Sequence, residues 1–239
     1  MNDLTVKYKN ELNTIPLKKF NSVEMNLFFA ICAKMKNQSQ SKVRFSFDSL
    51  KELSEYKPTA IKRFVKDLEN IYDKMLHLTY READNYGTIY KFVLFTGFQI
   101  NPIHQFVEIS INPELDYILN NLSNEFTQFE LLEFTELNSS YSKSMYRLLK
   151  QFKTTGYYTV KISEFRELLD IPDSYKMSDI DKKVLRPIQK ELSQYFEPFE
   201  ITKIKAKKGN RIDRLEFRFR EKLHDDVLPK VTLHNWLKE

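Results

Sequence analysis

The chain has 239 residues, 41% of them hydrophobic and 14% aromatic, with a formal net charge of +5. That is apolar material for one large core or two modest ones, the length suits two domains of roughly 100–150 residues, and the aromatic content argues against extended disorder. No apolar run approaches the ~18 residues of a membrane span, no basic start with an apolar stretch opens the chain, and the single cysteine, Cys32, excludes an internal disulfide framework and a cysteine-based zinc site, so a soluble, cytoplasmic protein is expected.

Residues 1–19 read as extended, with alternation through Leu4-Thr-Val-Lys-Tyr8. Asn21-Ser22 then precedes Val23, Leu27, Phe28, Ile31 and Met35, which is helical spacing behind a capping residue. With Ser22 as the cap, Glu24 follows too closely for a capping box. Residues 37–41 form a polar loop. Val43, Phe45 and Phe47 alternate with Lys42, Arg44 and Ser46 as a short strand, and Asp48 or Ser49 caps a helix carrying Leu50 and Leu53. Pro58 suits the first turn of the next helix, which sets Ile61, Phe64, Val65, Leu68, Ile71 and Tyr72 on one face and Lys62, Arg63 and Lys66 on the other. Residues 76–81 and 89–95, around a turn ending in Gly87, predict a hairpin. Residues 106–111 follow as a strand and 114–122 as a helix. A new unit begins at 123, where Phe134, Leu137, Tyr141, Met145, Leu148, Leu149 and Phe152 have helical spacing, closed by Thr154-Thr155-Gly156. All four glycines (87, 97, 156 and 209) are expected in turns or at element ends.

The second half repeats the first. Val43-Arg-Phe-Ser-Phe-Asp-Ser-Leu-Lys-Glu-Leu53 overlies Tyr158-Thr-Val-Lys-Ile-Ser-Glu-Phe-Arg-Glu-Leu168 without a gap, at an offset of 115 residues. A basic amphipathic helix follows each copy, over 59–75 and over 178–192, the second turning Ile180, Val184, Leu185, Ile188 and Leu192 inward. A hairpin follows each helix, the second running through Ile201, Ile204, Gly209-Asn210, Leu215, Phe217 and Phe219. Helix, short strand, helix, helix and hairpin is the order of a winged helix. The fold class is therefore α+β, with two tandem winged-helix domains related by internal duplication: 1–122, 123–222 and a tail over 223–239.

Charge is unevenly placed. Residues 201–220 hold Lys203, Lys205, Lys207, Lys208, Arg211, Arg214, Arg218 and Arg220 against Asp213 and Glu216, while residues 112–137 hold six acidic residues and no basic one. A focused positive segment favours a polyanion, nucleic acid first among them; the plainer reading is a solvated strand pair.

On the helix near Ser178, the outward Lys182, Lys183, Arg186 and Lys190 recur every three or four residues and share a face. Such a face can offer Arg or Lys to guanine in the major groove, or serve only phosphate contact or solvation. Pro187 leaves two readings open: the helix begins late, near Val184, or bends at the proline. Ser178 reads as its cap, and more remotely as a phosphate ligand. Lys203, Lys205, Lys207, Lys208, Arg211 and Arg214 lie on the second wing, for phosphate or minor-groove contact. In the first half, Lys57, Thr59, Lys62, Arg63 and Lys66 hold the corresponding places, and Tyr80, Arg81 and Lys91 are candidates for a first wing. His77, His104, His224 and His234 have no metal-ligand spacing, and no Gly-rich phosphate loop is present. The chain is thus expected to be no enzyme, with no cofactor or metal and no membrane partner. Cys32 reads as a buried apolar side chain, and the tail, with Trp236 and Leu237, as a docking helix or a peptide for another protein.

Three stretches resemble the initiator replication proteins of iteron-bearing, theta-replicating bacterial plasmids, the Rep_3 family: Asn21-Ser-Val-Glu-Met-Asn-Leu-Phe-Phe-Ala-Ile31, the segment from Phe129 to Lys150, and Val184-Leu-Arg-Pro-Ile-Gln-Lys-Glu-Leu192. The chain departs from the family where Glu191-Leu-Ser-Gln194 replaces the frequent Ile-Asn. The resemblance covers residues 3–220. It implies two winged-helix domains, monomers bound to double-stranded DNA at origin iterons, recruitment of host replication proteins, and a homodimer in equilibrium with the monomer that represses the protein's own promoter, with dimerisation in the N-terminal domain. The acidic stretch 112–137 is a candidate hinge or dimer surface. The alternatives are a winged-helix transcriptional regulator without initiator activity and a protein-interaction module.

Overall fold

The computed structural model describes residues 4–36, 42–83, 85–120 and 122–222; the polar loop and the tail with Trp236 lie outside them. Strand β1 (Thr5–Lys9) leads through a 3-10 turn to α1 (Ser22–Met35). The cap of α1 is Asn21 rather than Ser22. Its side chain accepts from Glu24 N (2.9 Å) while the Glu24 carboxylate accepts from Asn21 N (2.7 Å), a full capping box in the register the sequence reading passed over. Nor is α1 one-sided: every residue from Glu24 to Ala33 is buried while Val23 is exposed, because β1 and four helices pack around it.

The first copy continues with β2 (Lys42–Ser46), α2 (Phe47–Leu53), α3 (Ile61–Met75), β3 (Thr79–Ala83), β4 (Ile89–Val93), β5 (Phe95–Asn101) and β6 (Phe106–Ile111). Ser46 caps α2 by accepting from Ser49 N (3.2 Å), displacing Asp48 and Ser49 from that role. Pro58 lies outside α3, whose N-cap is Ala60. The expected helix over 114–122 is only a 3-10 turn, Pro113–Ile118. The second copy has β7 (Phe126–Glu130), α4 (Leu131–Glu136), α5 (Ser140–Gln151), β8 (Tyr157–Lys161), α6 (Ile162–Leu168), α7 (Met177–Ile180), a π-turn, α8 (Arg186–Leu192), β9 (Phe196–Lys205) and β10 (Ile212–Glu221). The spacing that suggested one helix through Phe134 and Phe152 is divided between α4 and α5, and Ser139 recaps the second piece by accepting from Ser142 N (3.4 Å).

The duplication is visible in the sheets. β8 and α6 fall 115 residues after β2 and α2 at both ends. The sheets run β2-β6-β5 and β8-β10-β9, all antiparallel. Phe45 faces Val107 and Val43 faces Ile109, as Val160 faces Leu215 and Tyr158 faces Phe217. The counterpart of the β9–β10 hairpin is therefore β5–β6. The hairpin around Gly87 is β3–β4, a separate two-stranded ribbon inserted after α3. Its Gly turn is a strong local signal, but Ile89 and Tyr90 are exposed whereas Val107, Ile109 and Ile111 supply the inward alternation that β2 needs. Gly97 likewise is no turn residue. It lies in β5 at a bulge, where a Cβ would sit 3.0 Å from Ser110 Oγ.

The halves share one core. β1 pairs with β7 antiparallel, Lys7 facing Gln128, so the strand opening each copy meets its counterpart about a local twofold. This pairing crosses the 122/123 line. Beneath it, Phe29 packs on Phe134 (4.7 Å between ring centroids) and Phe129 (5.6 Å), and Phe129 on Tyr146 (5.4 Å), contacts each contributing about 0.5–1.5 kcal/mol beyond area burial. Glu191 of α8 accepts from Asn138 N (3.1 Å) and Ser139 N (3.2 Å), so the residue at the family departure holds the start of α5.

Candidate nucleic-acid interface

Arg166 of α6 sets the approach to the second long helix by donating to Tyr175 O (2.5 Å) and Pro172 O (3.3 Å). The helix starts at Met177, with Lys176 as N-cap. Asp179 closes the first turn by accepting from Lys176 N (3.1 Å). Ser178 is therefore not the cap; it lies exposed one residue inside the helix. Ile180, Val184, Leu185, Ile188 and Leu192 are all buried, as the spacing predicts. Pro187 neither delays the helix nor ends it. Residues Asp181–Leu185 form a π-turn in which Arg186 N bonds to Asp181 O, which relieves the ladder at the residue that has no N–H to give.

Lys182, Lys183, Arg186 and Lys190 are exposed on the outer face. Lys183 Nζ lies 3.2 Å from Asp179 and 4.3 Å from the Tyr175 ring centroid. The Lys176 backbone N–H, then Lys183, hold the Asp179 carboxyl below the ordinary carboxylate range. Beside the helix runs β9. An open groove between them is lined by Asp181, Leu185, Arg186, Gln189, Ile201 and Lys203, and Lys203 Nζ reaches Asp181 at 2.6 Å.

The β9–β10 hairpin projects beyond this groove. Its tip closes with Ala206 N donating to Arg211 O (2.9 Å). Lys203, Lys205, Lys207, Lys208 and Arg211 are exposed, and Arg214 is half-buried, 3.6 Å from Asp213. The lysine-rich ribbon faces outward.

In the first copy, Lys57 and Thr59 are exposed on the approach to α3, and Lys62, Arg63 and Lys66 are exposed on it, above buried Phe64, Leu68, Ile71 and Met75. Ala60 lends no side-chain bond to the first turn. The wing of this copy is the tip between β5 and β6, residues 102–105. His104 N donates to Asn101 Oδ1 (2.8 Å) and Phe47 N to Gln105 O (2.9 Å), which makes it short and fixed, with Ile103 85% exposed. Tyr80, Arg81 and Lys91 are not its residues: they stand on the β3–β4 ribbon, with Tyr80 half-buried. The sequence carries the overlooked signal, since Val107-Glu108-Ile109 repeats as Leu215-Glu216-Phe217. Among the described residues no His, Cys, Asp or Glu group could hold a metal ion, and no helix is long and apolar enough to cross a membrane. Cys32 is buried, and burial pushes its thiol pKa up.

A family model described as Initiator Replication protein, WH1, matches residues 5–150, and one described as Initiator Rep protein, WH2, matches residues 161–219. The chain belongs to the initiator replication protein family. Its two winged helices are the two domains those models describe. Among its relatives is "Probable replication protein rep" of Bifidobacterium longum (strain NCC 2705), 34% identical over 194 residues, or 80% of this chain. The aligned part spans 65% of that relative's length. In fold the chain is similar to the Pi initiator protein in the crystal structure of its complex with iteron DNA, with a TM-score of 0.71, 14% identity, and coverage of 93% of this chain and 99% of that one.

Proposed function

We propose that the chain is a sequence-specific double-stranded DNA-binding initiator of plasmid replication, which binds directly repeated iterons at an origin and represses its own promoter. The supporting observation is the second recognition helix beside its wing. Lys182, Arg186 and Lys190 stand free of ion pairs among the described residues, next to a ribbon whose outer half carries five exposed cations, Lys203, Lys205, Lys207, Lys208 and Arg211. A helix face of that kind fits the major groove, and an outward cationic hairpin fits the flanking backbone. The first copy, with fewer cations, grips adjacent backbone through Lys57, Lys62, Arg63 and Lys66. The similarity to an initiator crystallised on iteron DNA agrees with this reading in architecture. The protein acts in the cytoplasm, exchanges between monomer and homodimer, and hands the opened origin to host replication proteins; it carries out no catalysis of its own.

A plasmid bearing only this gene and the DNA upstream of it tests the reading. Replication in a suitable host, lost on deletion of tandem upstream repeats spaced by about two helical turns, is the expected result. Binding to those repeats without replication would reduce the protein to a transcriptional regulator. Binding that ignores salt would exclude a DNA contact of six or more phosphates.

A further inference from the structure

The recognition face of the second winged helix carries two carboxylates among its cations, and neither is spare charge on a remote surface. Asp179 pairs with Lys183 at 3.2 Å on the same helix. Asp181 pairs with Lys203 at 2.6 Å across the groove between helix and wing strand. The π-turn builds the second pair. It bonds Arg186 N to Asp181 O and sets both residues on the wall of that groove. Asp181 thus lines one open groove together with Arg186 and Lys203. A phosphate arriving there meets a lysine already neutralised and a carboxylate that repels it.

We propose that Asp181 is a specificity-determining residue, one that withholds Lys203 from the phosphates of random DNA and so widens the gap between cognate and non-cognate binding. The inference rests on the DNA-binding reading above. Non-specific binding is almost wholly a matter of neutralised phosphates, so subtracting one cation and adding one anion at the groove weakens it directly. A cognate duplex is held by base contacts to Lys182 and Arg186 with the pair left closed, so freeing Lys203 gives it little, whereas a random duplex, bound through phosphates alone, gains a cation. Asp179 has a second duty in closing the first turn of the helix, so the test leaves it untouched.

The test uses the full chain, a duplex selected by the wild-type protein from a random pool, and a random-sequence duplex of equal length, each titrated over a range of salt. Asp181→Asn is expected to bind the random duplex about two- to fivefold tighter, the scale of one exposed ion pair, with a log K against log salt slope steeper by about 0.9. The selected duplex gains less, so the affinity ratio falls. On a Lys203→Ala background the same substitution is expected to leave the slope unchanged, since the cation it would release is gone. An unchanged random-duplex affinity overturns the proposal, as does a ratio that falls only because the selected duplex is lost. A gain of equal size with and without Lys203 also overturns it. Failure of the wild-type protein to retain any duplex at low salt sinks the DNA-binding reading itself, a result separable from the others. Circular dichroism of each variant checks that the helix is intact.

Discussion

Lys150 Nζ lies 2.9 Å from a Glu133 carboxylate oxygen, with the lysine side chain 4% and the glutamate 9% exposed. The same ammonium pairs with Glu221 at the end of β10, and Glu133 accepts from the Tyr146 hydroxyl. One buried cation therefore ties α4, α5 and the last strand of the second winged helix together. Lys150→Met is expected to destabilise the protein by about 3–5 kcal/mol, because it removes the cation from a buried ion pair with Glu133. The double variant Lys150→Met/Glu133→Gln is expected to recover most of that loss. Urea unfolding of both measures it, and a double variant no better than the single one would mean that the pair is not what Lys150 provides.

Gly156 closes the turn after α5 at φ +63°, and a Cβ there would sit 2.5 Å from the Phe219 carbonyl oxygen. That carbonyl belongs to β10, and the two residues are already joined by Phe219 N donating to Gly156 O (3.0 Å). Backbone cannot swing aside as a side-chain tip can. Gly156→Ala should cost more than about 2 kcal/mol, the left-handed penalty plus the clash. Gly87 has φ +84° with nothing within 4 Å of a Cβ, so Gly87→Ala should cost only about 1 kcal/mol. Equal melting temperatures for the two variants would remove the close approach as an explanation.

Much of this fold is legible in the sequence, and the failures share a cause. The ungapped match of 43–53 on 158–168 gives the strand-then-helix order and the 115-residue offset of β2 and α2 from β8 and α6, with α2 capped two or three residues earlier than expected, because a strand leading into a short helix is set by local alternation and spacing. Inward Ile180, Val184, Leu185, Ile188 and Leu192 follow from period alone. The wing of the first copy is misplaced because turn chemistry at Gly87 is local, whereas the choice of β6 as partner for β2 is made by burial across about sixty residues of chain. The pairing of β1 with β7 is likewise invisible to any local rule. At the interface, exposure of Lys182, Arg186 and the wing lysines is readable from the helical face and strand pattern. The Asp181–Lys203 pair is not, because Pro187 only signals that the ladder must change, and not that it changes into a π-turn.

Lys143 is wholly buried on α5, its ammonium donating to the Phe134 carbonyl at the end of α4 and lying 4.6 Å from the Phe134 ring centroid. Burial pushes its pKa down from 10.5 to about 7, against the weaker pull of Glu191 and Glu55. The sign is that of a folded pKa below the unfolded one. Between about pH 7 and 10.5 the unfolded chain holds a proton that the folded chain has released, so this group's contribution to stability rises with pH across that window. Below it the folded state bears the full cost of a buried charge. Lys143→Met should therefore flatten the pH dependence, and the stability difference between the variant and the wild-type protein should shift by up to about 1.4 kcal/mol per pH unit from pH 7 to 9. Thermal melts of both proteins across that range give the answer; parallel curves would show that Lys143 keeps its proton when folded.

The proposed base reading by the second long helix and the proposed backbone contact by its wing separate by experiment. Arg186 stands on the helix face and lines the groove, free of any ion pair among the described residues. Lys207 and Lys208 are exposed at the wing tip. Arg186→Ala should cost about 1–3 kcal/mol on a duplex selected by the wild-type protein, and far less on random DNA. Lys207→Ala/Lys208→Ala should weaken both duplexes alike and make the salt slope shallower by about 0.9 for each lysine removed. Arg81→Ala/Lys91→Ala should change neither quantity, because those residues ride on the β3–β4 ribbon and not on a wing. A shallower slope from the ribbon variant would return β3–β4 to the interface. A uniform loss from Arg186→Ala, with the ratio of selected to random binding intact, would make the helix a backbone clamp and leave the reading of sequence to some other element.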